Sequence, residues 1–159
     1  MKQVVAALIF RRGRLLICQR TKYQTMPLKW EFPGGKIESG EQPRDALRRE
    51  LDEELGIDAM IGDEIARIKH CYRGKNAAVE LRFYVVHEWR GEIENRIFRA
   101  VRWVRPADLL RHDFLDADHK LVKDLAAGNL EQVAFSKELK SKSSPKTPGG
   151  SARLPKKPA

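Results

Sequence analysis

Residues 35–57 read GKIESGEQPRDALRRELDEELGI, and they carry the clearest structural signal in the chain. Pro43 suits the first turn of a helix, and Gly56 suits the residue that follows its last turn. Strong helix formers fill the interval, so the stretch predicts a helix from Pro43 to Gly56. Apolar residues recur along it with helical spacing, which predicts a stripe that faces a core. This stripe consists of Leu47, Leu51 and Leu55.

The same helix carries a cluster of acids, because four of the five residues from Glu50 to Glu54 are acidic. Like charges three or four residues apart on a helix repel by about 0.2–0.5 kcal/mol per pair, and a bound cation would relieve that repulsion. Glu50, Glu53 and Glu54 are expected to converge beside the leucine stripe. Their oxygens suit Mg²⁺ or Mn²⁺, ions that also bind phosphate oxygens. Taken alone, the cluster also fits the solvated face of an ordinary amphipathic helix.

A glycine-rich loop precedes the helix and favours a metal site over a solvated helix face. Gly34 and Gly35 let the backbone approach a ligand closely, and Glu41 adds an acid near the helix start. Loop and helix together fill every fixed position of the pattern G-x5-E-x7-R-E-U-x-E-E-x-G-U, in which U is a bulky aliphatic residue. The matching residues are Gly35, Glu41, Arg49, Glu50, Leu51, Glu53, Glu54, Gly56 and Ile57. This pattern resembles the Nudix box.

The resemblance extends beyond the box. The segment WEFPGGKIE at residues 30–38, the paired N-terminal strands that end at Arg20, and VRWV at residues 101–104 resemble the MutT-type branch of the Nudix hydrolases. About residues 2–128 are covered. The resemblance implies an α+β fold in which a mixed β-sheet is sandwiched between helices, an α/β/α sandwich.

The resemblance also implies a reaction. It is the Mg²⁺-dependent hydrolysis of (deoxy)nucleoside triphosphates to a monophosphate and pyrophosphate, with Mn²⁺ as a substitute ion. The substrate would be an oxidised nucleotide such as 8-oxo-dGTP or a pyrimidine nucleotide such as CTP or dCTP. Two alternatives stay open: hydrolysis of another nucleoside diphosphate derivative (a dinucleotide or a nucleotide sugar), or a noncatalytic module that binds nucleotides or nucleic acid.

The family assigns roles to the acidic helix residue by residue. Glu50, Glu53 and Glu54 would hold the metal, assisted by a backbone carbonyl of Gly34 or Gly35. Glu50 or Glu53 would accept the proton of the attacking water. Arg49 would orient a glutamate through an ion pair, although a solvated helix charge is the simpler alternative.

Substrate-binding residues are expected around the loop. Arg20 is a candidate phosphate clamp, because a guanidinium presents paired donors to phosphate oxygens; a surface arginine at a strand end is the alternative. Glu31 would contact substrate and Phe32 would form a wall beside the base. Trp30 and Phe32 could equally be core residues.

Two positions depart from the family pattern. Asp118 stands where the bacterial enzyme specialised for 8-oxoguanine nucleotides has an asparagine that reads the base. An ionised aspartate only accepts hydrogen bonds, which favours the amine of cytosine, whereas a protonated one also donates. Ile97 stands where many relatives carry an extra metal-binding glutamate, and Glu94 is a substitute if the loop register shifts.

The formal charge of +9 is unevenly distributed over the 159 residues. Residues 136–159 contain seven Lys or Arg and one acid, a net charge of +6, so residues 1–135 carry only +3. We expect a Nudix domain at 1–135 and a basic, disordered tail rich in Pro, Ser and Lys at 136–159. The tail would be a solubilising appendage or a weak contact with nucleic acid or anionic surfaces. The oligomeric state is not predicted.

Other parts of the chain predict a soluble, unexported protein. No apolar run approaches the roughly 20 residues of a membrane span, and the start lacks a signal-peptide pattern. Cys18 and Cys71 are the only cysteines, too few for a disulfide framework, which suits a reducing cytoplasm. Strands are expected at 4–10, 14–20, 57–72, 78–89 and 98–104, a shaped loop at 30–40, a turn at 73–76, and short helices at 107–111 and 118–127.

Overall fold

The computed structural model describes residues 1–72 and 77–130. The turn expected at 73–76 and the tail expected at 136–159 lie outside the described residues. The division of the chain at residue 135 therefore stays a prediction.

Nine strands and two α-helices make up the regular structure of the described residues. The strands are β1 (Lys2–Arg11), β2 (Arg14–Gln19), β3 (Trp30–Glu31), β4 (Gly34–Lys36), β5 (Asp58–Met60), β6 (Glu64–Tyr72), β7 (Ala77–Val86), β8 (Glu88–Arg90) and β9 (Ala100–Val104). The α-helices are α1 (Pro43–Leu55) and α2 (His119–Ala126), and Pro106–Arg111 and Asp116–Asp118 form 3₁₀ helices.

The main sheet is mixed and has β1 near its centre. Its order is β3-β2-β1-β7-β6, with β4 also paired to β1 and β9 also paired to β2. The β1–β7 pairing is parallel, and the other strand pairs are antiparallel. A separate two-stranded sheet joins β5 to β8.

Both faces of the main sheet are covered, as the alternation of side chains along β1 shows. Val5, Ala7 and Ile9 belong to a core that includes the three leucines of α1. Ala6 and Leu8 belong to the opposite core, which contains the apolar face of α2. The molecule is therefore the α+β sandwich expected from the sequence.

The helix predicted from Pro43 to Gly56 is confirmed, with Pro43 in its first turn and Gly56 as its left-handed C-cap (φ 70°). Several strand predictions were wrong in extent. Residues 57–72 are divided into β5, which pairs with β8, and β6, which pairs with β7. Between them Gly62 lies beside β7 and donates a backbone hydrogen bond of 2.8 Å to the Val85 carbonyl. A Cβ at Gly62 would overlap Val85, so this close approach favours glycine.

Two further segments also differ from the prediction. Residues 78–89 are divided between β7 and β8, and the loop at 30–40 contains the two short strands β3 and β4. The short helix predicted at residues 107–111 is confirmed and is a 3₁₀ helix. No helix within residues 1–72 or 77–130 has the length and apolar composition of a membrane span.

Candidate active site

The Gly34–Gly35 loop lies between β1 and α1, and both glycines are in close contact with neighbouring groups, most closely at Gly34. β4 pairs antiparallel with β1, so that Gly34 faces Ala6 and Gly35 faces Val5. A Cβ at Gly34 would overlap the backbone of β1, and one at Gly35 would overlap the carboxyl group of Glu50. The loop backbone is thereby brought directly against the acidic helix.

Glu54 is buried, which is unusual for an acidic residue. Its Oε1 accepts a hydrogen bond of 3.1 Å from the Gly34 backbone N–H. Burial raises the pKa of Glu54 to about 9, and the nearby charges of Glu50 and Glu31 add to this rise. The site therefore disfavours a further negative charge, and a cation here would stabilise the ionised carboxylate.

Glu50 and Glu53 have different environments although they share a helix. Glu50 lies against Gly35, and burial raises its pKa while the neighbouring Arg49 opposes that rise. The side chain of Glu53 is 57% exposed, and its oxygens lie 3.5 Å from Arg49. Glu50 and Glu54 thus meet the glycine loop, whereas Glu53 extends towards solvent.

Arg49 connects the helix to the preceding loop. It donates to both oxygens of Glu41 at 2.8 and 2.9 Å, to Glu50 at 2.9 Å and to the carbonyl of Lys36 at 3.1 Å. These bonds lower the pKa of Glu41 to about 2 and raise that of Arg49. Arg49 is therefore an orienting residue in this structure rather than a solvated charge.

The carboxylates do not form a complete metal centre by themselves. Across residues 1–72 and 77–130, no group of three or more His, Cys, Asp or Glu side chains is arranged to hold a metal ion. The convergence of three glutamates expected from the sequence is thus reduced to Glu50 and Glu54. Mg²⁺ commonly binds through one or two carboxylates and completes its coordination with water and substrate phosphates. Glu50, Glu54 and the adjacent backbone oxygens of Gly34 or Gly35 fit that kind of partial site.

A cavity of about 410 Å³ opens beside these groups, within the size range of small-molecule sites. Most of the candidate site residues predicted from the sequence line this cavity, namely Arg20, Glu31, Phe32, Gly34, Gly35, Glu54 and Asp118. Lys2, Tyr72 and Phe98 also line it, and sequence reasoning missed all three. Tyr72 and Phe98 lie at the ends of segments predicted as ordinary strands, so no local signal marks them.

Arg20 is engaged within the protein. It donates to both oxygens of Glu31 at 3.2 Å, to the Thr25 carbonyl at 2.8 Å and to the Thr25 hydroxyl at 3.1 Å. Its donors are largely occupied, which differs from the expectation of a phosphate clamp. Arg20 instead fixes Glu31, whose pKa is raised by burial and lowered in turn by Arg20.

Asp118 closes the cavity from the end of the 3₁₀ helix before α2 and is only 3% exposed. Burial raises its pKa well above the usual value, and the charge of Glu31 adds to the effect. Its carboxyl group makes no hydrogen bond to the described residues. A neutral Asp118 donates as well as accepts, as asparagine does. Of the two protonation states considered from the sequence, the raised pKa favours the protonated one, and the role of Asp118 in reading the base stays a prediction.

Phe32 is a core residue that also lines the cavity, and its contact with a base stays a prediction. Its ring centroid lies 5.3 Å from that of Phe114. Trp30 belongs to the core and does not line the cavity. Ile97 lines the cavity in the place of the extra glutamate, while Glu94 is paired with Arg96 at 3.4 Å and stays outside it.

The comparisons with known proteins agree with this geometry. The NUDIX domain model matches residues 1–125. The 8-oxo-dGTP diphosphatase of Haemophilus influenzae is 37% identical, and the match covers 77% of this chain and 90% of that protein. The CTP pyrophosphohydrolase of Escherichia coli K12 is 35% identical, with 80% of this chain and 93% of that protein covered.

Solved structures give the same result. A MutT structure from a study of Aliivibrio salmonicida and Vibrio cholerae superimposes with a TM-score of 0.68 at 30% identity, and covers 79% of this chain and 97% of that one. Together with the glycine loop, the acidic helix and the buried Glu54, these matches show that the chain belongs to the Nudix hydrolase family and to its MutT-type branch.

Proposed function

We propose that this protein hydrolyses (deoxy)nucleoside triphosphates to a monophosphate and pyrophosphate with the help of a divalent cation. The observation that carries the proposal is the buried carboxylate of Glu54, held by the Gly34 N–H at the edge of a nucleotide-sized cavity. A buried carboxylate beside a second one is costly unless a cation or a proton compensates it. The names of the related pyrophosphohydrolases support the same reaction.

Glu50, Glu54 and a carbonyl of Gly34 or Gly35 would hold Mg²⁺, or Mn²⁺ in its place. When bound, such an ion neutralises the charge of the polyphosphate and lowers the pKa of water. Arg49 keeps Glu50 in position through its bond of 2.9 Å and anchors the loop through Glu41. The proton of the attacking water passes to Glu50 or Glu53. Of the two, Glu50 is better placed because it lies against Gly35.

Recognition of the base is assigned to Asp118 and Glu31, which line the cavity. A neutral Asp118 presents a donor and an acceptor, which supports 8-oxo-dGTP as the substrate. The carboxylate of Glu31, held by Arg20, accepts hydrogen bonds and favours an amine such as that of cytosine. CTP or dCTP is therefore the second candidate substrate.

A panel of nucleoside triphosphates tests the proposal, with pyrophosphate release as the measurement. We expect release from 8-oxo-dGTP or from CTP that requires Mg²⁺ and disappears in Glu54→Gln. Failure to release pyrophosphate from any triphosphate would contradict the proposal. Dinucleotides and nucleotide sugars belong in the same panel, because preferential cleavage of either would select the alternative substrate class.

The remaining expectations from the sequence stay predictions. They are the cytoplasmic location and the weak contact of the basic tail with nucleic acid.

A further inference from the structure

Four arginines lie together around the turn between β1 and β2 and the end of β8. Arg11, Arg12, Arg14 and Arg90 are all exposed, and none forms an ion pair with another described residue. Most other exposed arginines in the described part of the chain do have carboxylate partners, such as Arg48 with Asp58 at 2.9 Å. These four guanidinium groups therefore have no carboxylate partner among the described residues.

An open cavity of about 620 Å³ is lined by three of these arginines, Arg11, Arg12 and Arg90, and aromatic side chains form part of its wall. Phe10 and His87 are stacked with their ring centroids 5.4 Å apart, and Trp89 lies beside them. Glu88 is the single acid among the residues that line the cavity, against Arg11, Arg12 and Arg90. We define the arginine surface as Arg11, Arg12, Arg14, Arg90 and the aromatic wall of Phe10, His87 and Trp89.

Neighbouring contacts hold parts of this surface in place. The Arg11 guanidinium lies 4.3 Å from the ring centroid of Trp103, and Trp103 stacks on Trp89. Arg90 is paired in the β-ladder with Asp58, which fixes its backbone. Preorganised guanidinium groups lose little entropy when they bind an anion.

The arginine surface is separate from the catalytic cavity. Val4, Val5 and Ala6 of β1 line the catalytic cavity, whereas Phe10, Arg11 and Arg12 line the second one, so the two lie at opposite ends of the strand. Uncompensated guanidinium groups bind phosphates, and aromatic faces stack on unpaired bases. A ligand that offers both groups in alternation is single-stranded nucleic acid.

We propose that the arginine surface binds single-stranded nucleic acid, with phosphates on the arginines and a base against the aromatic wall. This proposal does not depend on the proposed catalytic function. It is also distinct from the contact expected of the basic tail, because it places the binding on the folded domain.

A pair of charge-matched variants tests it in the full chain. The test variant is Arg12→Asn with Arg90→Gln; asparagine tolerates the positive φ of Arg12 (51°). The control is Lys69→Gln with Lys120→Gln, at two lysines whose side chains are 70% and 83% exposed and whose ion pairs are long, at 4.0 and 3.8 Å. Each variant loses two positive charges, so non-specific attraction falls equally in both.

The measurement is fluorescence anisotropy with a labelled oligothymidine of about 20 nucleotides, over a range of salt concentrations. We expect the test variant to bind at least about 10-fold more weakly than the control, and the slope of log K against log salt to fall by about 1.4, that is, about 0.7 for each of two lost phosphate contacts. Equal weakening in the two variants, or none in the test variant, would overturn the proposal and leave the tail as the site.

A second arm tests the aromatic wall. An abasic oligonucleotide of the same length and charge should bind more weakly than oligothymidine, because stacking contributes about 1–3 kcal/mol per base. Equal affinity for the two would overturn the role of the aromatic residues. Pyrophosphate release should be unchanged in the test variant, since neither arginine lines the catalytic cavity.

Discussion

At the scale of one residue, the burial of the Glu54 carboxyl group is energetically unfavourable, and that indicates a functional role. We predict that Glu54→Gln lowers pyrophosphate release by about 100-fold or more. A neutral amide holds a cation less well than a carboxylate does, because it has no negative charge. The stability of this variant in EDTA should equal or exceed that of the wild type, because the amide oxygen can keep the Gly34 bond and the free-energy cost of keeping a buried carboxyl group protonated in the folded state is removed. The measurements are turnover and the melting temperature; near wild-type turnover at saturating Mg²⁺ would remove Glu54 from the metal site.

The raised pKa of Asp118 leads to a prediction about specificity. Asp118→Asn keeps one donor and one acceptor, so the ratio of kcat/KM for 8-oxo-dGTP and CTP should change by less than about 5-fold. Asp118→Ala removes both and should lower kcat/KM for the preferred nucleotide by roughly 5- to 150-fold, corresponding to about 1–3 kcal/mol for one polar contact. Steady-state kinetics on both substrates check this. A large shift in the asparagine variant would mean that Asp118 is ionised.

The same residue makes stability depend on pH. Because its pKa is raised in the folded state, Asp118 keeps its proton there while the unfolded chain releases it above about 3.8. Stability from this residue is thus complete below that pH and is lost progressively as pH rises towards the folded-state pKa. As the pH rises from 4 to 8, the melting temperature of Asp118→Asn should therefore increase relative to that of the wild type. A constant difference across this range would contradict the assignment.

At the scale of elements, the contact between α1 and the glycine loop determines the active site, and Arg49 maintains it. We predict that Arg49→Lys lowers turnover by about 10- to 100-fold, the usual effect of losing a residue that orients a metal ligand. A lysine cannot replace the paired bonds to Glu41 together with those to Glu50 and Lys36. The adjacent Arg48→Lys is the matched control, because Arg48 is exposed and, within the described part of the chain, forms its ion pair with Asp58. Equal losses in the two variants would show a general effect on the helix.

Elements differed in how far the sequence could predict them. The bounds of α1 were predictable because Pro43, Gly56 and the leucine stripe are local signals. The break between β5 and β6 was not, since the two strands pair with different strands later in the chain, β8 and β7. The pairing of Arg20 with Glu31 and the burial of Asp118 are likewise consequences of packing between distant segments. The motif was thus sufficient to identify the residues of the candidate site. Their hydrogen-bond partners and the direction of their pKa shifts depend on the fold.

At the scale of the whole molecule, the described residues already contain both cores of the sandwich and the complete glycine loop and acidic helix. The composition of residues 136–159 includes five serines, four prolines and seven basic residues, which is typical of segments that offer little apolar surface for packing. We predict from this composition that deletion of 136–159 leaves the melting temperature and kcat unchanged. Thermal denaturation and pyrophosphate release of the truncated protein check this, with the full chain at equal ionic strength as the control. A drop of several degrees would mean that the segment packs against the domain, and a change in KM alone would mean that its charge attracts the polyanionic substrate.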